Sequence, residues 1–163
     1  MATRNRNLSS YAEGTIPSGA DFTIGIIVSE WNSDITNVLY EGCLKTLLEN
    51  NASKEKIITI KVPGSFELPS AAQLLLESRE LDAVICLGCI IKGDTKHDEY
   101  IATAVSHGIM IVSIDYSTPV IFGVLTTDNL EQAQERAGGK HGNKGDEAAI
   151  SALKMAAIRQ NLI

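Results

Sequence analysis

The stretch DAVICLGCIIKGDTKHDEY, residues 82–100, decides the fold of this chain, because an apolar run turns abruptly into a polar one. Residues 82–91 are rich in β-branched and apolar side chains, which is typical of a strand buried in a parallel sheet. Positions 93–97 then bring a glycine, an aspartate, a threonine, a lysine and a histidine in succession, and a helix is predicted to begin near Thr95. This order predicts a buried strand that ends at a functional site.

Strands and helices alternate on both sides of this stretch. Apolar, β-branched runs predict further strands at 22–30, 56–63 and 119–127. Helically spaced apolar residues, with turn residues at their ends, predict helices at 33–50, 67–78, 128–139 and 145–160. Residues 108–117 are left open between a strand, which their β-branching favours, and an extension of the helix that begins near Thr95.

Local signals indicate where these helices begin and end. Pro69 fits only in the first turn of its helix, since proline lacks the N–H that later positions need. Asp128, followed three residues later by Glu131, predicts an N-cap, and the paired glycines at 138–139 predict the end of that helix. Asp94 or Thr95 is the predicted N-cap of the helix after the third strand, and Thr95 to Asp98 resembles a capping box.

Alternating strands and helices without internal repeats predict an α/β domain with a parallel sheet covered by helices on both faces. Residues 21–163 form that single domain, and residues 1–20, which carry few apolar groups, are predicted to be an arm outside the core. Connections of this kind place the carboxyl ends of all strands at one edge of the sheet, where ligands bind.

Composition excludes several classes of protein. A net charge of −6 argues against general nucleic-acid binding. No apolar run approaches the ~20 residues needed to span a bilayer, and the polar N-terminus lacks the apolar core of a secretory signal. The cysteines at 43, 86 and 89 are predicted to be buried thiols in a reducing cytoplasm; a redox pair at Cys86 and Cys89 is disfavoured because both lie inside a strand rather than at a helix start.

Several side chains that follow the strands suit a polar, partly aromatic ligand. Trp31 can stack on a flat heterocycle, although a cap on the core is an equally good interpretation of a tryptophan at a helix start. Glu67 can bond ligand hydroxyls, but an acid in a first helical turn more often only compensates the helix dipole. His97, in a first turn whose free N–H groups suit a phosphate, can exchange protons near neutral pH, whereas a solvated surface histidine is the default.

A second anion site is predicted in ERAGGKHGNKG, residues 135–145, where Arg136, Lys140 and Lys144 flank two glycine-rich turns. It is not a Walker loop, because no Ser or Thr follows the lysine. A dinucleotide fingerprint after the first strand, a nucleophile elbow and zinc-ligand spacing of the histidines are all absent from the sequence.

Five segments taken together resemble the 6,7-dimethyl-8-ribityllumazine synthase family of riboflavin biosynthesis. They are SEWNSDIT, VPGSFELP, LGCIIKGDTKHDEY, TPVIFGVLTTDNLEQAQERAGG and GNKGDEAA, in the family's order, and the resemblance spans about residues 21–160. It implies a flavodoxin-like three-layer sandwich with a four-stranded parallel sheet. It also implies a transferase that condenses 5-amino-6-(D-ribitylamino)uracil with 3,4-dihydroxy-2-butanone 4-phosphate, with no metal and no cofactor.

The resemblance implies a role for each matching residue. His97 would transfer protons, Trp31 would stack on the pyrimidine, and Thr95 with its neighbouring amides would bind the phosphate together with Arg136. The remaining implied substrate contacts are the ribityl-binding residues Asn32, Ser65 and Glu67, with Phe66 beside them, the backbone at Ile90 and Ile91, Asp94 in the phosphate loop, Phe122 from an adjacent subunit, and Lys144 near the ring carbonyls.

The resemblance further implies a cytoplasmic homo-oligomer, either a pentamer or an icosahedral capsid of twelve pentamers. The short link AGGKHGNKG between the last two helices favours the capsid, because extra residues there would splay the final helix. The β-branched IMIVSI, residues 109–114, departs from the family's pattern and leaves packing near the ring axis open. The alternative function is a non-catalytic flavin-binding or shell-forming scaffold of the same fold.

Overall fold

The computed structural model describes residues 16–163 and confirms the predicted alternation of strands and helices. Most of the predicted arm at 1–20 lies outside the described residues. The described residues 16–20 do not lie wholly outside the core as predicted, because Ile16 packs against it and the Gly19 N–H donates to the Asn50 carbonyl at 2.7 Å.

Four parallel strands form one sheet in the order β2-β1-β3-β4, with β3 between β1 and β4. The strands are β1 Ile24–Ser29, β2 Ile57–Val62, β3 Ala83–Ile91 and β4 Val120–Thr127. The helices are α1 Ser33–Glu49, α2 Leu68–Ser78, α3 His97–Asp115, α4 Leu130–Glu135 and α5 Lys144–Leu162. Single 3-10 turns occupy Lys54–Lys56 and Ser65–Glu67, and a small antiparallel hairpin pairs β5 Ala137–Gly139 with β6 Gly142–Asn143. The flavodoxin-like prediction is confirmed.

Each face of the sheet has its own apolar core. On one face, Ile26, Val28 and Cys89 pack with the buried residues of α1 and α5; on the other, Ile27 and Cys86 pack with those of α2 and α3. These two sets of β1 and β3 residues differ by odd spacings, because neighbouring side chains of a strand point to opposite faces. The result is a central sheet between two layers of helices.

Residues 108–115 are helical, which resolves the alternative that their β-branching had left open. Val105, Ile109 and Val112 are buried at helical spacing on the face that packs against the sheet. Tertiary packing therefore outweighs the intrinsic strand preference of the segment, as it commonly does. Met110, Ile111 and Ile114 lie on the other side of α3, exposed.

The predicted boundaries of the fourth helix were wrong at both ends. Its N-cap is Asn129, not Asp128, and the Asn129 side chain accepts from the Gln132 N–H at 2.9 Å. The helix ends at Glu135 rather than at the paired glycines, because the chain turns there into the β5–β6 hairpin. Gly138 and Gly142 take positive φ values in that hairpin, 92° and 82°, which glycine adopts readily.

Candidate active site

A cleft of about 990 Å³ opens at the carboxyl ends of β1, β2 and β3. Its wall comes from the three segments that follow these strands and from the first turns of α3. The lining residues are Trp31, Asn32, Pro63, Gly64, Ser65, Phe66, Glu67, Cys89, Ile90, Ile91, Gly93, Thr95, His97, Asp98, Tyr100, Ile101 and Ala104. Nine of the thirteen predicted site residues are among them, as the strand-end rule requires.

The junction between β1 and α1 places Trp31 at the cleft. The residue is 72% exposed, whereas its backbone N–H donates to the Pro63 carbonyl at 3.1 Å and its carbonyl accepts from the Ser29 hydroxyl at 3.2 Å. Asn32 follows in a left-handed conformation, with φ 59° and ψ 45°, and its side-chain amide donates to the Cys89 carbonyl at 2.9 Å. The interpretation of Trp31 as a cap on the core was wrong, because so exposed a ring buries little apolar surface.

The turn between β2 and α2 carries Ser65, Phe66 and Glu67 into the cleft. Ser65 is 7% exposed, and its hydroxyl is a buried polar side-chain atom without a hydrogen-bond partner among the described residues. Gly88 on β3 permits this close approach, since a Cβ there would stand 2.5 Å from the Ser65 oxygen. Buried polar groups are ordinarily paired, so an unpaired hydroxyl in the wall of a cleft indicates a place for a ligand's polar group.

The loop after β3 brings Thr95 and His97 to the cleft, but the helix begins later than predicted. His97 is the first residue of α3 and the N-cap is Lys96, which makes no side-chain capping bond. The predicted capping box from Thr95 to Asp98 was therefore wrong; instead the Thr95 hydroxyl oxygen accepts from the His97 N–H at 3.4 Å. Asp94 does not line the cleft.

Three residues of α3 line the cleft that were not predicted from the sequence. Tyr100, Ile101 and Ala104 line the cleft together with His97, at positions three, four and seven residues further along α3. This is the spacing of one helical face, so the placement of His97 already implied these neighbours. Tyr100 adds a third exposed aromatic ring to Trp31 and Phe66 at the cleft.

Phe122, Arg136 and Lys144 do not line the cleft of their own chain. Phe122 is half-buried near the start of β4, and the two cations lie at the β5–β6 hairpin and the start of α5. The Arg136 guanidinium contacts Glu147 Oε1 at 2.8 Å and also donates to the His141 carbonyl at 2.8 Å. Lys144 contacts the other carboxylate oxygen of Glu147 at 3.3 Å.

Glu147 is thus the residue that organises the predicted second anion site, and sequence analysis missed it. It lies in the first turn of α5 and is 8% exposed. A buried carboxylate requires charged or hydrogen-bonding partners, so its ion pairs orient both cations. An acid in a first helical turn carried no signal of this, because it is also ordinary dipole compensation.

The cysteines are inert thiols in this structure. Cys86 and Cys89 lie in different cores on opposite faces of the sheet, which excludes the redox pair. Burial raises the pKa of the Cys86 thiol well above its ordinary range, and raises that of Cys89, which lines the cleft, to about 11. Burial, with a contribution from Asp146, raises the pKa of Cys43 as well.

Residues 16–163 offer neither a metal site nor a membrane-spanning helix. No cluster of three or more His, Cys, Asp or Glu side chains in this part of the chain could hold a metal ion. None of its helices has both the length and the apolarity that crossing a membrane requires.

Comparison with known proteins bears on the chemistry of this cleft. Residues 21–160 match the family model described as 6,7-dimethyl-8-ribityllumazine synthase. Proteins of that name are 56% identical in Cytophaga hutchinsonii, over 96% of this chain and 98% of that protein, and 52% identical in Porphyromonas gingivalis, over 98% and 99%. The similarly named protein of Parabacteroides distasonis is 49% identical over 95% of this chain and 97% of its own length.

Proposed function

The chain belongs to the 6,7-dimethyl-8-ribityllumazine synthase family, and on that basis we propose how its cleft performs the family's reaction. It is a transferase that condenses 5-amino-6-(D-ribitylamino)uracil with 3,4-dihydroxy-2-butanone 4-phosphate. The product is 6,7-dimethyl-8-ribityllumazine, and phosphate and water are released in this penultimate step of riboflavin biosynthesis. Its substrates are small molecules, which the cleft at the strand ends accommodates.

The pyrimidine substrate occupies the part of the cleft that is built by the segments after β1 and β2 and by the end of β3. Trp31 stacks on its ring, and the backbone of Ile90 and Ile91 faces the ring's polar edge. The ribityl chain lies against Ser65, Glu67 and Asn32. The observation that carries this placement is the buried Ser65 hydroxyl, which lacks a partner among the described residues and would gain one from a ribityl hydroxyl.

His97 moves the protons that the condensation requires. The substrate amine attacks the ketone carbonyl, and loss of water from the adduct needs a proton donated to the leaving hydroxyl. Elimination of phosphate then needs a proton removed from carbon. The ring closes when the ribityl-bearing nitrogen attacks the carbonyl that the elimination leaves, and a second water is lost. An imidazole at the start of α3, exposed and lining the cleft, can serve both steps, since histidine gains and loses protons near neutral pH.

The phosphate of the second substrate lies at the start of α3. Thr95 and the free N–H groups of the first turn suit an anion, with Asp94 in the adjoining loop. Arg136 and Lys144 form ion pairs with Glu147, and neither lines the cleft of its own chain. We therefore assign their part, and that of Phe122, to a second copy of the chain, whose β4 edge faces this cleft.

A shared site requires an oligomer that closes on itself. A ring of five copies satisfies each heterologous interface once per subunit, and twelve rings would form the icosahedral capsid. Exposed apolar residues of α3, Met110, Ile111 and Ile114, support burial against neighbouring copies. We propose the capsid in the cytoplasm, with residues 21–163 as the catalytic domain. Native mass measurement tests this: a pentamer at every concentration excludes the capsid, and an active monomer excludes the shared site.

The activity is tested by supplying both substrates to purified protein in EDTA and following the fluorescent lumazine. Product formation is expected, because groups of the protein itself fill every proposed role. Absence of product would favour the alternative of a binding or scaffold protein. Flavin that copurifies with an active protein would show that binding and catalysis coexist.

A further inference from the structure

We propose that Asn32 is the positioning residue for Trp31: its left-handed backbone and its bond to β3 hold the indole over the cleft before any substrate arrives. The proposal rests on the proposed function only in naming a pyrimidine as the stacked ring. The structural part concerns the free protein and can be tested without substrate.

Trp31 combines an exposed side chain with a backbone that is held by hydrogen bonds. Trp31 is 72% exposed, so packing of the core does not hold its indole in place. The Pro63 carbonyl and the Ser29 hydroxyl nevertheless engage both backbone polar groups of the residue. A rigid backbone beneath an open aromatic ring reduces the ordering cost that a stacking ligand must overcome.

Asn32 supplies the part of this arrangement that is specific to its side chain. Its φ of 59° lies in the left-handed region, which among non-glycine residues asparagine tolerates best. Asparagine at the position before a helix ordinarily caps the helix with its side chain, but here no such bond is made. The amide instead reaches 2.9 Å across to the carbonyl of Cys89, near the carboxyl end of β3.

This cross-link ties the support of Trp31 to the strand that forms the floor of the cleft. Cys89, Ile90 and Ile91 all line the cleft at the end of β3. Because the Asn32 carbonyl also accepts from the N–H groups of Ile35 and Thr36, the direction of α1 is set at the same residue. A change at position 32 therefore re-aims the preceding side chain relative to the floor.

Trp31 is the chain's single tryptophan, so its emission reports on this position alone. In substrate-free protein, Asn32→Gly keeps the left-handed backbone but removes the amide bond, and we expect lower fluorescence anisotropy and altered quenching by acrylamide. Asn32→Asp, which sets a carboxylate against the Cys89 carbonyl, should act more strongly. In kinetics, Asn32→Gly should raise KM for the pyrimidine about two- to tenfold, with KM for the phosphorylated substrate unchanged. Loss of the direct ribityl contact of Asn32 would raise that KM as well, so the fluorescence of the substrate-free protein is the measurement that tests the positioning role.

Asn51 provides a matched control, because it has a φ of 66° at the other end of α1 and does not line the cleft. Asn51→Gly and Asn51→Ala should leave the anisotropy, the quenching and both KM values as they are. Unchanged Trp31 emission in the Asn32 variants, with activity retained, overturns the positioning role and leaves the proposed function standing. Altered emission in a protein that makes no lumazine supports the positioning role and refutes the proposed function.

Discussion

Replacement of Ser65 by alanine should raise the free energy of unfolding of the free protein and weaken the enzyme's binding of the pyrimidine substrate. The Ser65 hydroxyl is buried and lacks a hydrogen-bond partner among the described residues. Burying an unpaired hydroxyl costs about 1–3 kcal/mol, whereas the small void left by one oxygen atom costs a fraction of that. The Ser65→Ala variant should therefore gain about 1 kcal/mol in free energy of unfolding.

The same substitution removes the hydrogen bond that the hydroxyl would make to a ribityl group. Such a bond is worth about 0.5–1.5 kcal/mol, so KM for the pyrimidine should rise about two- to twelvefold. Urea unfolding of ligand-free protein at fixed subunit concentration measures the first effect, and steady-state kinetics measures the second. The two effects have opposite signs, which a general disturbance of the turn would not produce.

Ser113 is the control, because its hydroxyl is fully engaged. It donates to the Thr118 carbonyl and accepts from the Val120 N–H, both at 3.1 Å. Ser113→Ala should lower the unfolding midpoint and leave KM unchanged. If Ser65→Ala also lowers the midpoint and leaves KM unchanged, its hydroxyl has a partner in the free protein and the reasoning fails.

Four further substitutions test protons, charge and pH. His97→Ala should lower kcat by about 100-fold with little change in KM, which is the low end of general acid–base catalysis. Arg136→Ala should raise KM for the phosphorylated substrate, because it removes a charged hydrogen bond to phosphate. Negligible effects of both substitutions would refute the proposed site. Glu147→Gln should reproduce part of the Arg136→Ala effect on KM, since it removes the carboxylate that holds the guanidinium at 2.8 Å, and an unchanged KM would deny the ion pair that role. The Tyr116 hydroxyl donates to Glu77 at 2.6 Å, lowering the pKa of the carboxyl and raising that of the tyrosine. The contact's stabilisation is therefore lost as pH falls through the lowered pKa of Glu77 and as pH rises through the raised pKa of Tyr116. Thermal midpoints of wild type and Tyr116→Phe should differ between these limits and converge outside them; a gap that is independent of pH contradicts the linkage.

Much of this fold follows from local pattern. The run at 82–91 is apolar enough to be buried on both faces, and the structure makes it the strand β3, between β1 and β4 in the sheet. Because parallel strands end at a common edge, Trp31, Ser65 and His97 could be assigned to one cleft from their positions after three different strands. Such predictions depend only on periodicity and chain order, which a sequence displays directly.

What only the tertiary structure decided depends on partners distant in the chain. The segment 108–115 is helical because Val105, Ile109 and Val112 pack against the sheet, and no local preference reveals that packing. The fourth helix ends at Glu135 because the chain then turns into the β5–β6 hairpin. Likewise, the Ser65 hydroxyl becomes buried without a partner among the described residues only when distant strands lie side by side. The bond from Asn32 to β3 forms under the same condition. The sequence by itself determined which residues could serve a site, and long-range packing determined which of them face it.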